Sequence, residues 1–310
     1  MHKYIIKRLL MLIPVLVAIS FILYAIMTLT PGDPARMILG DAATEEGIAA
    51  LHKELGLDEP FLTRYFKWLL GVFQGDFGTS YRTRTPVFDE ILSRLPYTCV
   101  VAFGAISISA IFGIVLGILS AVKQYSAVDN ITLIATLLLT SMPDFWIGLI
   151  LIIVFSVNLG LLPSITGDSI VSYIMPWISA SAGYLASTIR TTRSTMLDTI
   201  HADYVRTAKA KGAPPFDIIF RQSLRNALLP VITLIGINMG WQLGGTIIIE
   251  QVFAIPGLGS LLLTSIRMKD TPVVVASVTL VCLLASLINL LADILYAYVD
   301  PRVKAQYSKG

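Results

Sequence analysis

The sequence predicts an all-α polytopic membrane protein with six transmembrane helices and a small extracytoplasmic insert after the first helix. Hydrophobic residues make up 55% of the 310 residues and charged residues only 14%, whereas charged residues reach about 25% in soluble domains. The mean hydropathy is +0.76. Only lipid can solvate this much apolar surface, and in lipid the backbone must satisfy its own hydrogen bonds, so membrane-spanning helices are expected.

The first predicted span follows a basic N-terminal segment. Three cations lie among residues 1–8, and residues 9–30 then carry no charge. A cleaved signal peptide is the competing interpretation, but this apolar run is longer than the roughly 7–15 residues of a signal-peptide core. No small-x-small cleavage site follows it. We therefore expect residues 1–30 to contain a retained first span.

A polar segment, residues 31–95, separates the first two spans and is predicted to fold as an insert outside the membrane. It opens with Pro31-Gly-Asp-Pro34 and contains an amphipathic stretch from Thr44 to Leu55, with Gly56 as its stop. Further along lies Gly75-Asp-Phe-Gly-Thr-Ser80. Capping residues and turn sequences of this kind favour short folded helices over a disordered linker.

Five more spans are predicted, at residues 98–122, 131–159, 170–189, 230–249 and 273–299. The second span contains Gly113 and Gly117, the small-xxx-small spacing that lets helices approach closely. The third span is interrupted at Ser141-Met-Pro-Asp-Phe-Trp146. The fourth is diluted by serine, glycine and proline, so we expect it to lie inside the helix bundle rather than against lipid.

The distribution of cations predicts the orientation of the chain. Seven cations lie between residues 190 and 229, three lie at each end of the chain, and Lys123 follows the second span. With all of these in the cytoplasm, the inner side holds 14 of the 23 Lys and Arg residues. The predicted organisation is residues 1–30 (N-terminal segment and first span), 31–95 (insert), 96–300 (five-helix core with the cytoplasmic segment 190–229) and 301–310 (cytoplasmic tail).

The cytoplasmic segment contains a short helix with its own start and stop. The stretch Asp203 to Lys211 places an acid in the first turn and lysines in the last, which matches the helix dipole. Gly212 supplies a left-handed stop, and Pro214-Pro215 prevent continuation. A second amphipathic helix, 217–229, leads to Pro230, which is predicted to open the fifth span. Charge alone is explained by topology and anionic lipid, whereas a capped helix at the inner face favours protein docking.

Polar residues within the spans are candidates for a translocation pathway, because burying them in hydrocarbon costs free energy. Asn238 and Gln242 are four residues apart on one face of the fifth span, and lining a pathway or bonding between helices are equally good interpretations. Asp144 follows Pro143 in the third span, and there the proline favours the end of a helical segment over a pathway role.

Other intramembrane residues have a structural interpretation. Gly236, Gly240 and Gly244 recur every four residues in the fifth span, which predicts close packing against another span or a second subunit rather than substrate contact. Asn289 and Asp293 are four residues apart near the inner end of the sixth span, and Asp293 is interpreted as an interface anchor.

Sequence signatures of enzymes and metal sites are absent. There is no Gly-Lys-Ser/Thr phosphate loop, no His-Glu-x-x-His and no Cys-x-x-Cys, and the three histidines lie on different predicted segments. Cys99 and Cys282 fall inside apolar spans, where core packing is the expected role. We expect no catalytic residue, metal site or bound cofactor in this chain, and its net charge of +3 does not suggest nucleic-acid binding.

At the short cytoplasmic helix, the sequence resembles the permease subunits of ABC importers, whose coupling helix carries a Glu-Ala-Ala…Gly motif. Here the motif reads Arg206-Thr-Ala208, three further residues and Gly212, with Arg206 where most families have Glu. The form Asp203-Tyr-Val-Arg-Thr-Ala-x-Ala-Lys-Gly212, followed by Leu224-Arg-Asn-Ala-Leu-Leu-Pro230, is typical of the dipeptide/oligopeptide/nickel branch.

The resemblance covers essentially the whole chain. Further motifs similar to the B-type permease of that branch are Pro31-Gly-Asp-Pro34, Leu55-Gly-Leu-Asp-Glu-Pro60, Gly75-Asp-Phe-Gly78, Ser141-Met-Pro143 with Phe145-Trp146, Pro256-Gly-Leu-Gly259 and Asp300-Pro-Arg302. The resemblance implies a type I ABC importer permease fold in a bacterial inner membrane. Its implied partners are a second homologous permease, two cytoplasmic ATPases that bind ATP and Mg, and an extracytoplasmic solute-binding protein.

The same resemblance implies which residues couple to the ATPases and what is carried. The implied ATPase-coupling residues are Asp203, Tyr204, Arg206, Thr207, Ala208, Lys211 and Gly212. Di- or oligopeptides are the implied cargo, with nickel (or a nickel chelate) and glutathione as alternatives. From a different class, a stand-alone ion-coupled carrier would show paired acids deep in several spans, and only Asp144 is a candidate.

Overall fold

The computed structural model describes residues 2–40, 43–167 and 169–299, and these residues are almost entirely helical. The helices are α1 His2–Leu29, α2 Pro34–Leu39, α3 Glu45–Leu55, α4 Phe61–Phe73, α5 Val87–Val122, α6 Ala127–Ser141, α7 Asp144–Leu151, α8 Ile174–Ile200, α9 Asp203–Ala210, α10 Leu224–Gly245, α11 Ile247–Val252, α12 Leu258–Arg267 and α13 Thr271–Val299. A π-helical segment, Ile152–Asn158, continues α7, and another, Asp217–Ser223, leads into α10. No strand occurs among these residues, so the predicted all-α class is confirmed. The motif Asp300-Pro-Arg302 lies outside the described residues.

Apolar length supports up to five of the six predicted spans. Within the described residues, four helices are long and apolar enough to cross a membrane. They are α1, α5, α13 and the continuous helical run 217–245, which consists of a π-helical segment followed by α10. The pair of α6 and the helix that begins with α7 adds a fifth if it is one span, bent by 104°. The bend falls at Met142-Pro143, where the interruption was predicted. The 27-residue α8 is long enough to cross a membrane, but it is too polar to be counted with these apolar helices. This agrees with the prediction that serine, glycine and proline dilute the fourth span.

Two predicted boundaries differ from the observed helices because charged residues join a helix. Helix α5 begins at Val87 instead of residue 98, and Asp89 and Glu90 lie in its first turn, where they complement the helix dipole. Helix α8 extends to Ile200, so residues 190–200 of the predicted cytoplasmic segment are helical.

Pro230 does not open the fifth span, and that prediction was wrong. The proline lies inside α10, and the helical run begins at Asp217. A proline forfeits one backbone hydrogen bond, but membrane helices tolerate it where local helix adjustments satisfy the freed group.

The chain divides into two compact units. The core unit comprises the described residues of Met1–Ile5, Cys99–Ile255 and Ala285–Gly310, and the insert unit comprises Ile6–Thr98 and Pro256–Leu284. Each unit has its own buried apolar clusters, and each is described separately below.

Side-chain caps define the short helices of the insert unit. Asp33 accepts the backbone N–H of Ala35 at 2.9 Å at the start of α2, and Thr44 accepts that of Gly47 at 3.1 Å at the start of α3. Gly56 ends α3 in the left-handed conformation, with φ of 65°. The helix predicted between Thr44 and Gly56 and the folded character of the insert are therefore confirmed.

Aromatic side chains attach α4 to α1. Tyr65 is 2% exposed, and its hydroxyl donates to the carbonyl of Val17 at 3.1 Å and lies 3.1 Å from the hydroxyl of Ser20. Its ring meets those of Phe21 and Tyr24 edge to face, with centroids 5.0 and 5.6 Å apart. This geometry is the preferred one for aromatic pairs, so the insert is fixed to the first span.

Glycines bring α5 and α8 of the core unit into close contact. A Cβ placed on Gly113 would lie 2.6 Å from Cγ2 of Thr188. A Cβ on Gly117 would lie 2.5 Å from Cβ of Thr192 and 2.9 Å from the carbonyl of Ile189. The predicted role of this pair in close helix packing is confirmed.

The glycine repeat of the fifth span has the same role against α13. A Cβ on Gly236 would overlap Ala292, and one on Gly240 would lie 2.7 Å from Oδ1 of Asn289. The predicted interpretation of close packing holds at these two positions.

We expect Gly117→Ala to lower the free energy of unfolding by about 1–3 kcal/mol, the cost of overpacking a tight contact. Its new methyl would meet a β-branched side chain and a backbone carbonyl, neither of which can rotate away. Thermal unfolding in detergent measures the effect. Gly167→Ala is the matched control, because nothing lies within 4 Å of its Cβ position. An unchanged melting temperature for Gly117→Ala would contradict the close contact.

Candidate functional site

Helix α9 has a well-defined C-terminal cap. Gly212 adopts a left-handed φ of 79°, and its N–H donates to the carbonyl of Lys209 at 3.0 Å. The N–H of Ala213 donates to the carbonyl of Ala208 at 3.1 Å. This pair of bonds is the Schellman motif, which favours glycine at the left-handed position. The predicted helix stop is confirmed.

The outward face of α9 is charged and exposed. The side chains of Asp203 and Arg206 are 97% and 73% exposed and form an ion pair of 3.5 Å across one turn. Of the other residues expected to contact an ATPase, Tyr204, Thr207, Lys211 and Gly212 are exposed and Ala208 is half-buried. Exposed pairs contribute little to stability, so these side chains can rearrange against a partner at little cost.

The inward face of α9 is anchored to the core unit. Val205 is fully buried, and the hydroxyl of Tyr204 accepts a hydrogen bond from the side chain of Asn226 on α10 at 3.0 Å. Asn226 also donates to the carbonyl of Gln222 at 3.3 Å. Tyr204 and Asn226 thus attach α9 to the beginning of α10.

An exposed aromatic pair follows α9. Phe216 and Phe220 are 66% and 43% exposed, and their ring centroids lie 4.6 Å apart. A cavity of about 510 Å³, lined among others by Gln124, His201 and Lys209, lies beside α9. The aromatic pair was not predicted from the sequence. Two phenylalanines four residues apart in a charged segment could have indicated an exposed apolar contact on one helix face.

A buried ion pair joins α6 to α8. The side chains of Asp129 and Arg193 are 1% and 19% exposed. Nε of Arg193 donates to one carboxylate oxygen at 2.7 Å and Nη2 to the other at 2.8 Å. The hydroxyl of Ser120 on α5 donates to the same carboxylate at 2.5 Å, and the N–H of Tyr125 at 2.9 Å. Four donors therefore satisfy the carboxylate and tie three helices together.

Two of the three predicted pathway residues meet the same stretch of α8. Gln242 is 2% exposed, and its amide nitrogen donates to the carbonyl of Ala180 at 3.2 Å. Asp144 is half-buried at the start of α7, and its Oδ1 lies 3.9 Å from the Cβ position of Gly183 on α8. Both contacts are with backbone positions of α8, at Ala180 and Gly183.

The third predicted pathway residue has a buried side-chain nitrogen without a hydrogen-bond partner among the described residues. Asn238 is 9% exposed, and its Nδ2 makes no hydrogen bond; Oδ1 of Asn289 on α13 is also unpaired. A buried polar group without a partner costs about 1–3 kcal/mol. The contact between α10 and α13 therefore contains a hydrogen-bond donor and an acceptor that the packing of the two helices leaves unused.

The structure places the predicted site residues in two groups within the core unit. The seven coupling candidates lie on and just after α9, and the pathway candidates lie on α7 and α10. The pair Asp129 and Arg193 was missed, although an isolated acid at the start of the third span and an arginine after the fourth are opposite charges available for pairing. Cys99 and Cys282 are half-buried free thiols, as their packing role predicts.

Comparisons with known proteins cover both parts of the chain. Residues 113–305 match the family described as "Binding-protein-dependent transport system inner membrane component". Residues 1–102 match the N-terminal family of the same transport systems' membrane components.

Curated relatives match over nearly the full length. The glutathione transport system permease protein GsiC of Salmonella paratyphi A is 40% identical over 304 residues, which cover 98% of this chain and 99% of that protein. The proteins of the same name from Salmonella typhimurium LT2 and Escherichia coli K12 match to the same extent, 40% over 304 residues.

We expect Arg193→Met to destabilise the protein by about 3–5 kcal/mol, because it leaves the carboxylate of Asp129 buried without its countercharge. Replacing both members, as Asp129→Leu with Arg193→Met, should recover most of that loss. Thermal or denaturant unfolding of the four members of this double-mutant cycle measures the coupling.

Arg221→Met is the matched control, since Arg221 is 77% exposed and its pair with Asp217 is 3.4 Å long. Its loss should cost less than about 1 kcal/mol. Equal destabilisation by the Arg193 and Arg221 variants would show that burial of the Asp129 pair has no energetic consequence.

Proposed function

The chain belongs to the family of binding-protein-dependent transport system inner membrane components, and from this premise we propose that it forms the pathway through which glutathione or a closely similar short peptide is imported. It is a multi-pass inner-membrane permease of an ABC importer. The observation that supports the cargo is the full-length similarity to permeases named for glutathione transport. It favours glutathione, one alternative from the sequence, over the broader di- and oligopeptides expected first.

The partners and orientation are part of the proposal. The permease pairs with a second, homologous permease, with two cytoplasmic ATPases that bind ATP and Mg, and with an extracytoplasmic solute-binding protein. ATP hydrolysis belongs to the ATPases. Both termini and α9 lie in the cytoplasm, with 31–95 as the outer insert, 96–300 as the transport core and 301–310 as the inner tail. The positive-inside distribution of cations supports this orientation.

The ATPase docks on the exposed face of α9. Asp203, Arg206 and Lys211 offer it charges, and the exposed pair Phe216 and Phe220 offers an apolar contact next to them. Such a combination of an aromatic centre and a charged rim is typical of protein interfaces. Arg206 at the position of the usual Glu implies an acidic contact on the ATPase.

Movement passes from α9 into the spans through two connections. Tyr204 and Asn226 connect α9 to α10, and α9 follows directly on α8, which Arg193 fixes to α6. The closing ATPases thereby tilt α8 and α10 as rigid elements, in the manner of rocking transporters.

The cargo passes along the polar surface of α10. Asn238 and its unpaired amide support this role, because a peptide backbone offers both donors and acceptors. Gln242 bonds to the backbone of α8 in this structure, and this bond breaks when α8 and α10 separate. The structural and pathway interpretations of Gln242 therefore apply to different states of the transport cycle.

We expect Gly212→Val to uncouple ATP hydrolysis from uptake. A β-branched residue in the left-handed conformation costs about 1–2 kcal/mol, which disfavours the docking conformation of α9 by roughly 5–30-fold. Uptake into vesicles and ATPase activity of the same preparation measure the ratio of cargo moved to ATP hydrolysed, which should fall.

Gly160→Val serves as control, because Gly160 also has a left-handed φ, of 61°, with nothing within 4 Å of its Cβ position. Its ratio should stay at the wild-type value. Gly212→Asn should also retain coupling, since asparagine tolerates this conformation. Normal uptake by Gly212→Val would contradict the docking role of α9.

We expect the partner solute-binding protein to retain glutathione when purified from cells, and mass spectrometry of the released ligand identifies it. Uptake of labelled glutathione should be competed by excess glutathione but not by trialanine. Retention of unrelated peptides or of nickel would overturn the cargo assignment. Uptake by the purified chain alone, without ATPases, would instead indicate an ion-coupled carrier.

A further inference from the structure

A small cavity in the insert unit has two cationic side chains in its wall. Its volume is about 280 Å³. It lies among the end of α1, the loop before α2, helices α3 and α4, and the turn before α13. Its polar lining residues are Thr28, Asp33, His52, Arg64, Lys269 and Thr271.

Lys269 is a buried cation with a single neutral acceptor. It is 6% exposed, and its ammonium donates to the carbonyl of Thr30 at 2.8 Å. An ammonium group has three donors, and no carboxylate among the described residues pairs with it. Burial lowers the pKa of Lys269. The backbone of Lys269 is left-handed, with φ of 56°, so the turn holds this side chain inward despite the strain.

Arg64 contributes a second set of unused donors. It lies on α4 and is half-buried, and its Nε is buried without a hydrogen-bond partner. A guanidinium offers five N–H donors in a planar fork that matches a carboxylate. In the described part of the chain no acid pairs with Arg64 either.

The acids near the cavity are already engaged. Asp33 lies 2.8 Å from Nε2 of His52, and although burial raises its pKa, the hydrogen bonds from His52 and the backbone hold that pKa below the usual range. Asp270 accepts the hydroxyl of Ser80 at 2.5 Å and the N–H of Tyr81 at 3.0 Å. The carboxylate of Asp33 also lines the cavity, but no carboxylate among the described residues forms an ion pair with Arg64 or Lys269.

We propose that this cavity binds a carboxylate group during import, with Arg64 as the forked donor and Lys269 as the buried countercharge. Its volume lies just below the roughly 300–1,000 Å³ of pockets that enclose whole small molecules. The cavity therefore suits one carboxylate-bearing arm. The predicted outer location of the insert gives two sources for that arm, an acidic side chain of the solute-binding protein or a carboxylate of the cargo. The site does not depend on the cargo being glutathione.

The direct test uses sodium propionate, which mimics a glutamate side chain, on the assembled importer in nanodiscs without its binding protein. At a concentration about tenfold above Kd, propionate should raise the melting temperature by about 2–4 °C over sodium chloride of equal ionic strength. Arg64→Met and Lys269→Met should abolish the difference. Lys67→Met is the matched control, since Lys67 lies on the same helix, is 64% exposed and is paired with Glu59.

Arg64→Met keeps the Lys269 bond to Thr30, so it tests the site even if Lys269→Met fails to fold. Lys269→Arg keeps the charge and should retain at least part of the shift. Equal effects of propionate and chloride on the wild type, or an undiminished propionate shift in Arg64→Met, would overturn the site.

Two further measurements on Arg64→Met distinguish the sources. Weaker docking of the cargo-free binding protein, by roughly tenfold for one lost charge-assisted contact, would assign the carboxylate to that protein. Unchanged docking with a higher KM for uptake would assign it to the cargo. If docking and uptake both match those of Lys67→Met, the cavity has no role in import and the proposal fails.

Discussion

Asp129 and Arg193 form a bidentate ion pair in the core unit, and the carboxylate of Asp129 is almost fully buried. All of its hydrogen-bonding positions are taken by α8, by α5 and by the turn between α5 and α6. A helix that slid or rotated here would leave a charge buried without a partner, which is among the most costly defects in a protein interior. The relative positions of these three helices are therefore fixed, and α9, which follows α8 directly, takes its position from them.

The parts of the fold that sequence predicts well are those whose causes are local. Thr44 and Gly56 enclose α3 because a side-chain cap and a left-handed glycine act on neighbouring residues. The close contact of α5 with α8 was also predictable, since small-residue spacing at Gly113 and Gly117 is visible on one helix. Pro230 was misread because proline is favoured in the first turn of a helix, whereas here the helical run begins at Asp217 and continues through the proline. Helix α8 is the most polar of the predicted spans, and its polar side chains, among them Ser179, Ser181 and Thr188, are buried within the protein.

The candidate site divides in the same way. Helix α9 was predictable from its acid, its lysines and Gly212, all within one short stretch. Asp129 and Arg193 are separated by 64 residues, and each charge alone looked like ordinary membrane flanking. The hydrogen bond from Gln242 to the backbone of α8 could not be predicted either, since every residue has a backbone carbonyl and the sequence does not show which one is the acceptor. Sequence therefore predicted the short helix α9 and its glycine stop but not the contacts that attach it to the neighbouring helices.

The Schellman cap and the buried Val205 stabilise α9 in helical form from within the chain. A helix of this length would be only marginally stable in isolation, so an uncapped segment would have to fold each time it met an ATPase. Ordering a residue costs about 1–2 kcal/mol of conformational entropy, and this cost would be taken from the affinity of every association. In the proposed docking of an ATPase on α9, the cap and the buried valine would reduce this entropic cost of binding.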